Sequence, residues 1–177
     1  IGIELHDEGI DAAAVESIEI GLGHTNWLTV GEPYDAGRDS VVHAQFNISY
    51  GFARALGDGR VDLHTYEKST ITDAAIAALA ARIKVVSDPG IEPTAIEPVR
   101  VRVALRDGRV IERATDRIKG SPQAPLSDPE LMNKFRGCLE FGLGATRAQS
   151  ERLAEVVYGL EKSKDAARDI VGAFPGS

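Results

Sequence analysis

Alternation of apolar and polar residues predicts four strands in the first two thirds of the chain. Residues 17–22 place isoleucine and leucine on one face, and residues 84–87 follow a helical pattern directly. The clearest alternation runs through VRVRVALRDGRVIERATDRI, where valines alternate with arginines, and Arg100 and Arg102 are expected on a solvated face. Its centre, Asp107-Gly108, is a dipeptide typical of hairpin turns, so residues 99–105 and 110–118 are predicted to pair antiparallel.

Spacings of three and four predict helices between and after these strands. One helix is expected over SVVHAQFNISYGFARAL, capped by Ser40 or Asp39, and an alanine-rich helix is expected just before residues 84–87. The predicted buried stripe of the first consists of Val42, Phe46, Ser49, Tyr50, Ala53 and Leu56. Beyond residue 126 the pattern is helical only, with capping boxes at Ser127/Glu130 and Thr146/Gln149 and a last helix stopping at Pro175-Gly176.

This order of elements predicts an α+β fold, a mostly antiparallel sheet with helices on one face. We expect two parts, an α+β domain over residues 1–125 and helices over residues 126–177. The first residues, IGIELHDEG, resemble the end of a helix, so we expect a fragment or processed product.

Composition removes several classes of function. The net charge of -7 gives no electrostatic footprint for nucleic acid. No apolar run approaches the ~20 residues of a membrane span, so we expect no membrane partner and a cytoplasmic location. The single cysteine, Cys138, excludes an intrachain disulfide and is expected to be a small buried side chain. None of the four histidines is spaced for metal binding, so no metal site is predicted.

Two segments remain as candidates for binding or chemistry. His24, Asn26 and Trp27 open a long polar segment after the first strand, predicted to be a loop. This segment is either a site or a loop anchored by a buried tryptophan. Lys119 and Gly120 lie in a proline-flanked stretch that either holds a carboxylate or only connects two structural parts.

Several stretches resemble the MmgE/PrpD family. AQFNISYGFARALGDGRVDL is similar to the family's "AQFS-x-PYxxAxALLDGxV" helix, and DAAIAALAARIKVVSDP to its helix-into-strand segment. VRVALRDGRVIERATDRIKGSPQAPLSDPELMNKFR resembles its hairpin, "KGxPxNPLS" loop and "KFR" helix. The similarity extends from about residue 8 to residue 160. Asn47 and Ser49 depart from the family's "FS-x-P" pattern.

The resemblance implies the C-terminal lid region of a cofactor-independent lyase or isomerase acting on small di- or tricarboxylates. The family includes 2-methylcitrate dehydratase, cis-aconitate decarboxylase and iminodisuccinate epimerase. Members are typically homodimers, with a large helical domain and an α+β lid around the active site. The expected partners are therefore a carboxylate substrate, the protein's own N-terminal helical domain and a second copy. The C-terminal helices would complete that mainly absent helical domain.

The resemblance also carries over individual positions. Trp27 falls where cis-aconitate decarboxylases have an active-site tyrosine, but an indole has no ionisable hydroxyl, so only a shape or stacking role is expected. His24 and Asn26 are its neighbours, and the family loop places Lys119 and Gly120 as substrate contacts. Because most acid and base groups lie in the absent part, the chain is expected to be inactive alone. The alternative is a non-catalytic binding or assembly module derived from this family.

Overall fold

The computed structural model describes residues 1–175 of the 177-residue chain. The strands are Val15–Leu22 (β1), Ile83–Ser87 (β2), Val99–Leu105 (β3) and Val110–Thr115 (β4). The α-helices are Gly2–Asp7 (α1), His24–Val30 (α2), Val41–Gln45 (α3), Ile48–Asp58 (α4), Lys68–Ile71 (α5), Ala74–Ala80 (α6), Asp128–Leu143 (α7), Arg147–Tyr158 (α8) and Ala166–Ala173 (α9). The predicted stop at Pro175-Gly176 includes Gly176, which lies outside the described residues.

The four strands form one mixed sheet in the order β2-β1-β3-β4. β1 pairs in parallel with β2 and antiparallel with β3, and β3 pairs antiparallel with β4. The parallel pair needs a long connection, which α2 to α6 provide. The predicted Asp107-Gly108 turn joins β3 to β4, and Gly108 has a φ of +88°, a value that glycine adopts without a steric penalty. The α+β class with a mostly antiparallel sheet is confirmed.

The main core lies between α4, α6 and one face of the sheet. Alternate residues of β1 and β3 are buried on this face. The residues between them lie on the other face, which we call the open face, and include the exposed Glu19, Arg100 and Arg102. The buried set that joins sheet and helices includes Ile18, Ile20, Leu22, Val101, Val103, Tyr50, Phe52, Leu56, Ile76 and Leu79. Antiparallel sheets tolerate this one-sided burial because their polar face is solvated.

The segment predicted as one helix over residues 40–56 forms two helices, and the prediction of one continuous stripe is wrong. Asn47, only 3% exposed, interrupts it by capping α4, since its Oδ1 accepts a hydrogen bond from the Tyr50 N–H at 3.0 Å. Val42 and Phe46, predicted on the buried stripe, lie before this break and are 63% and 58% exposed. The Ser40 cap of α3 is present, because its hydroxyl accepts a bond from the His43 N–H.

The chain divides into two compact units, residues 1–124 and the residues from Pro125 onward. The second unit packs α7, α8 and α9 around a small apolar cluster of Leu139, Ala145, Leu153 and Ala173. Both predicted capping boxes are present, with Glu130 accepting from the Ser127 N–H and Gln149 from the Thr146 N–H. Cys138, predicted to be buried, is exposed. None of the helices within residues 1–175 combines the length and apolar character needed to cross a membrane.

Candidate functional site

One edge of the sheet gathers the segments that the sequence marks as candidates. The residues Ser87, Leu22, Val99 and Thr115 lie side by side in the register of the four strands. The carboxyl ends of β1, β2 and β4 therefore meet at this edge, which we call the site edge. Three segments start there: residues 23–30, residues 88–98 and residues 116–124. His24 and Lys119 belong to the first and the third of these segments.

The segment that follows β1 is a helix rather than the predicted long loop. After Gly23 the chain enters α2 at once, so His24, Asn26 and Trp27 are held by helical backbone. A short polar run with a single tryptophan carries no strong helical periodicity, and tertiary contacts to β2 decide its conformation. The candidate side chains are therefore positioned by a rigid element.

His24 lies exposed at the site edge and contacts the end of β2. Its Nδ1 is 3.3 Å from the Ser87 hydroxyl, 63 positions away in sequence. Its ring also packs against the Trp27 ring, with centroids 5.6 Å apart and an angle of 31° between the planes. Within residues 1–175 the Nε2 atom makes no hydrogen bond. The imidazole is thus held from one side and open to solvent or ligand on the other.

Trp27 is half-buried and anchors α2 to the sheet. Its indole N–H donates a hydrogen bond to the Val85 carbonyl at 3.3 Å, and the ring packs against the main core. This bond occupies the only polar group of the side chain. What the indole can offer a ligand at the site edge is therefore its apolar ring surface beside His24.

The connection between β2 and β3, residues 88–98, packs over the start of α2. The Asn26 side-chain amide donates to the Ile96 carbonyl at 3.2 Å, and the Thr25 N–H donates to the Pro93 carbonyl at 2.9 Å. A Cβ added at Gly23 would lie 2.4 Å from the Ala95 oxygen, so only glycine permits this approach. The Asn26 side-chain nitrogen therefore helps to hold the connection in place.

Lys119 and Gly120 lie in a tight turn after β4. The Gly120 N–H donates to the Ala124 carbonyl at 2.7 Å, and the Ser121 N–H donates to the Ile118 carbonyl at 3.0 Å. Gly120 has a φ of +93°, which explains the glycine at this position. Lys119 is exposed. Its strand, β4, lies two positions from β1 in the sheet, a separation of about 10 Å at ordinary strand spacing.

The structure brings His24, Trp27 and Ser87 into contact and places Lys119 and Gly120 beyond the same edge. Ser87 was not predicted as a site residue. The only sequence signal for Ser87 is that a polar residue ends a short strand. This signal can be interpreted only when the pairing of β2 with β1 is known. Asp88 was also missed, and its carboxylate accepts a hydrogen bond from Arg100 at 3.1 Å.

The open face of the sheet carries a shallow depression of about 530 Å³. The acids Glu19, Asp88 and Glu112 and the arginines Arg100, Arg102 and Arg113 line it. Arg113 pairs with the buried Val101 in the register, and its guanidinium donates to Glu8 at 2.9 Å, so its charge is not directed into the depression. The lining has no excess of positive charge that would favour an anionic ligand, and Arg100 and Arg102 are exposed, as predicted for a solvated face. Within residues 1–175 no three histidine, cysteine or acidic side chains gather as metal ligands.

The chain matches the model of a known protein family. The model of the MmgE/PrpD C-terminal domain matches residues 2–160, most of the chain. The chain therefore belongs to the MmgE/PrpD family. No curated protein matches it.

Proposed function

We propose that this chain supplies one wall of the active site of a cofactor-independent lyase or isomerase for small di- or tricarboxylates, similar to 2-methylcitrate dehydratase. Membership of the MmgE/PrpD family supports the reaction class. The observation that carries the location is the common edge, at which the segments holding His24 and Lys119 both leave the sheet. The N-terminal helical domain of the same protein would supply the facing wall.

Each residue at the site edge has a role that fits its contacts. His24 offers Nε2 for a hydrogen bond or a proton transfer, because Ser87 holds Nδ1. The exposed part of the Trp27 ring sets the shape of the wall. Lys119 supplies positive charge for a carboxylate, and Gly120 provides the turn that presents it.

The chain by itself is expected to be inactive. Removing a proton next to a carboxylate needs a base and, for elimination, an acid on the leaving group. Among the described residues, His24 is the one histidine in the segments that start at the site edge. A second group is therefore needed, because one side chain would have to serve as base and as acid on the leaving group. The chain should therefore not turn over 2-methylcitrate or cis-aconitate above the buffer rate. Turnover of roughly 1–1,000 per second, the ordinary enzymatic range, would contradict this assignment.

Binding can be tested without turnover, because Trp27 is the only tryptophan. Propane-1,2,3-tricarboxylate, an unreactive tricarboxylate, should change the Trp27 emission with a saturable dose dependence. Lys119→Ala should raise the dissociation constant, by about tenfold for one charge-assisted hydrogen bond.

Arg60→Ala is the matched control, since it removes one exposed positive charge outside the three segments of the site edge. It should leave binding unchanged. Equal weakening by both variants would show only general attraction between the anion and the protein, and would contradict the site.

A further inference from the structure

The second unit carries an open groove of about 520 Å³ between α8 and α9, which we call the α8–α9 groove. Arg152 and Val156 lie on one face of α8, and Arg168 and Gly172 lie on one face of α9. The members of each pair are four residues apart, the spacing that places two residues on the same side of a helix. Lys162, in the short turn between the helices, also lines the groove. Three cationic side chains from three segments therefore line one groove.

The two arginines of this groove differ from every other arginine of the chain. Within residues 1–175, each of the others donates a side-chain hydrogen bond or forms an ion pair. In the same part of the chain, the guanidinium groups of Arg152 and Arg168 have neither, and Lys162 also lacks a side-chain partner. All three side chains are exposed. The fold thus places its two unpartnered guanidinium groups and an ammonium along one groove, where a ligand can reach them.

The charge of the groove is positive although the chain as a whole carries a net charge of -7. Asp169 is the one acid that lines it, against three cations, so the lining has an excess of two positive charges. The Asp169 carboxylate accepts a hydrogen bond from the Ser163 hydroxyl at 2.6 Å, and that hydroxyl accepts from the Asp165 N–H at 3.1 Å. The acid therefore ties the preceding turn to α9. A local excess of this sign attracts a compact anion with two charges.

We propose that the α8–α9 groove binds the phosphate group of a small organic phosphate. A phosphate monoester carries about 1.5 to 2 negative charges at neutral pH and has three strong acceptor oxygens. These values match the excess of two charges and the three cationic donors. A single carboxylate offers one charge and two oxygens. Guanidinium groups bind phosphate oxygens in pairs, so Arg152 and Arg168 would hold the group from two helices, with Lys162 as a third charge.

The groove has room for more than a phosphate group. Its volume of about 520 Å³ lies within the range of pockets that hold small organic molecules. The apolar side chains of Val156 and Ala173 line part of it, and a Cβ added at Gly172 would meet no atom within 4 Å. The organic part of the ligand would lie there. The family model ends at residue 160, so Lys162 and α9 lie beyond the match, and binding here does not depend on the proposed reaction.

Amide chemical shifts of the ¹⁵N-labelled chain test this site during separate titrations with inorganic phosphate, glycerol 3-phosphate and propane-1,2,3-tricarboxylate. Two variants form a matched pair. Lys162→Gln removes a cation of the groove, and Lys164→Gln removes an exposed cation two positions away that does not line it. Arg152→Gln removes one guanidinium, whereas Arg152→Lys keeps the charge and loses the paired donors. All of these side chains are exposed, and thermal melts followed by circular dichroism confirm that each variant folds.

Both phosphates should cause saturable changes concentrated in residues 152–173, with glycerol 3-phosphate binding at least as tightly as inorganic phosphate. Arg152→Gln should raise the dissociation constant about tenfold, and Arg152→Lys should raise it less. Lys162→Gln should weaken binding, and Lys164→Gln should leave it unchanged. The proposal is overturned by the absence of saturable changes in these residues, by equal effects of the two lysine variants, or by tighter binding of the tricarboxylate than of glycerol 3-phosphate in the groove. Changes at residues 23–30 and 116–124 report on the site edge separately.

Discussion

Asn47 joins two structural tasks in one buried side chain, so its replacement has a calculable effect. Its Oδ1 caps α4 by accepting from the Tyr50 N–H, and its Nδ2 donates to the Glu32 carbonyl at 2.6 Å. Asn47→Ala removes both bonds. Loss of an N-cap costs about 1 kcal/mol, and loss of this partly buried hydrogen bond costs about 1–2 kcal/mol. We expect a total loss of about 2–3 kcal/mol.

Asn47→Ser separates the two contributions. A serine hydroxyl caps a helix nearly as well as asparagine but is too short to keep the bond to Glu32. The serine variant should therefore lose about 1 kcal/mol less than the alanine variant. Asparagine and serine differ little as caps, and this bears on the family pattern, where "FS-x-P" has serine at the position of Asn47.

Urea unfolding followed by Trp27 fluorescence measures both variants, because the only tryptophan lies in the unit of residues 1–124. The unfolding free energy falls by about 2 kcal/mol per molar urea for a domain of this size, so Asn47→Ala should lower the midpoint by about 1–1.5 M. A loss below about 0.5 kcal/mol would refute the two-bond account. Equal losses in the alanine and serine variants would refute the role of Asn47 as a cap.

Three further predictions concern other parts of the molecule. Gly23→Ala should lower stability by about 1–3 kcal/mol and shift the Trp27 emission, since the new Cβ would lie 2.4 Å from the Ala95 oxygen; an unchanged midpoint would contradict the tight packing of the 88–98 connection. The same change at Gly137, in the middle of α7, places the new Cβ more than 4 Å from any side chain or other element, so it should stabilise the second unit by about 0.5–1 kcal/mol in thermal melts followed by circular dichroism; a loss would contradict these open surroundings. Burial raises the pKa of Tyr34 to about 12, so the folded state favours the neutral phenol. The stability from Tyr34 is complete below pH ~10, the unfolded value, and is lost as pH rises toward ~12. Tyr34→Phe should therefore flatten the fall in unfolding free energy over this interval, and identical slopes would refute the assignment.

Much of the fold was predictable because its signals are local. Alternation in β1 and β3 reflects a sheet with one buried face, and the Asp107-Gly108 turn leaves little choice of pairing for the hairpin. The break at Asn47 was not predicted, although asparagine is a preferred N-cap residue. An asparagine inside a helical spacing pattern is compatible with both one helix and two, and the buried contact to Glu32 decides in favour of two.

The candidate site was predictable only in part. His24 and Trp27 stood out because polar and aromatic residues follow a strand. Their partners, Ser87 and the Val85 carbonyl, lie about sixty positions further along and become neighbours only through the parallel pairing of β1 and β2. Parallel pairing leaves no local turn signal in the sequence. The helical conformation of residues 24–30 was missed for the same reason.

The departures of Asn47 and Ser49 from the family pattern lie away from the site edge. Both belong to the start of α4, where Asn47 is the cap and Ser49 follows in the first turn. Serine and asparagine are both good caps, and proline and serine are both tolerated in a first turn. These differences therefore preserve the local structure and do not argue for a changed substrate.

The most direct test of the central claim is a map of amide chemical shifts of the ¹⁵N-labelled chain during titration with propane-1,2,3-tricarboxylate. A carboxylate site at the site edge predicts the largest changes at residues 23–30 and 116–124, with saturation, and their loss in Lys119→Ala. Changes concentrated on the open face around Arg100 and Arg102, or no saturable change at the site edge, would contradict the account.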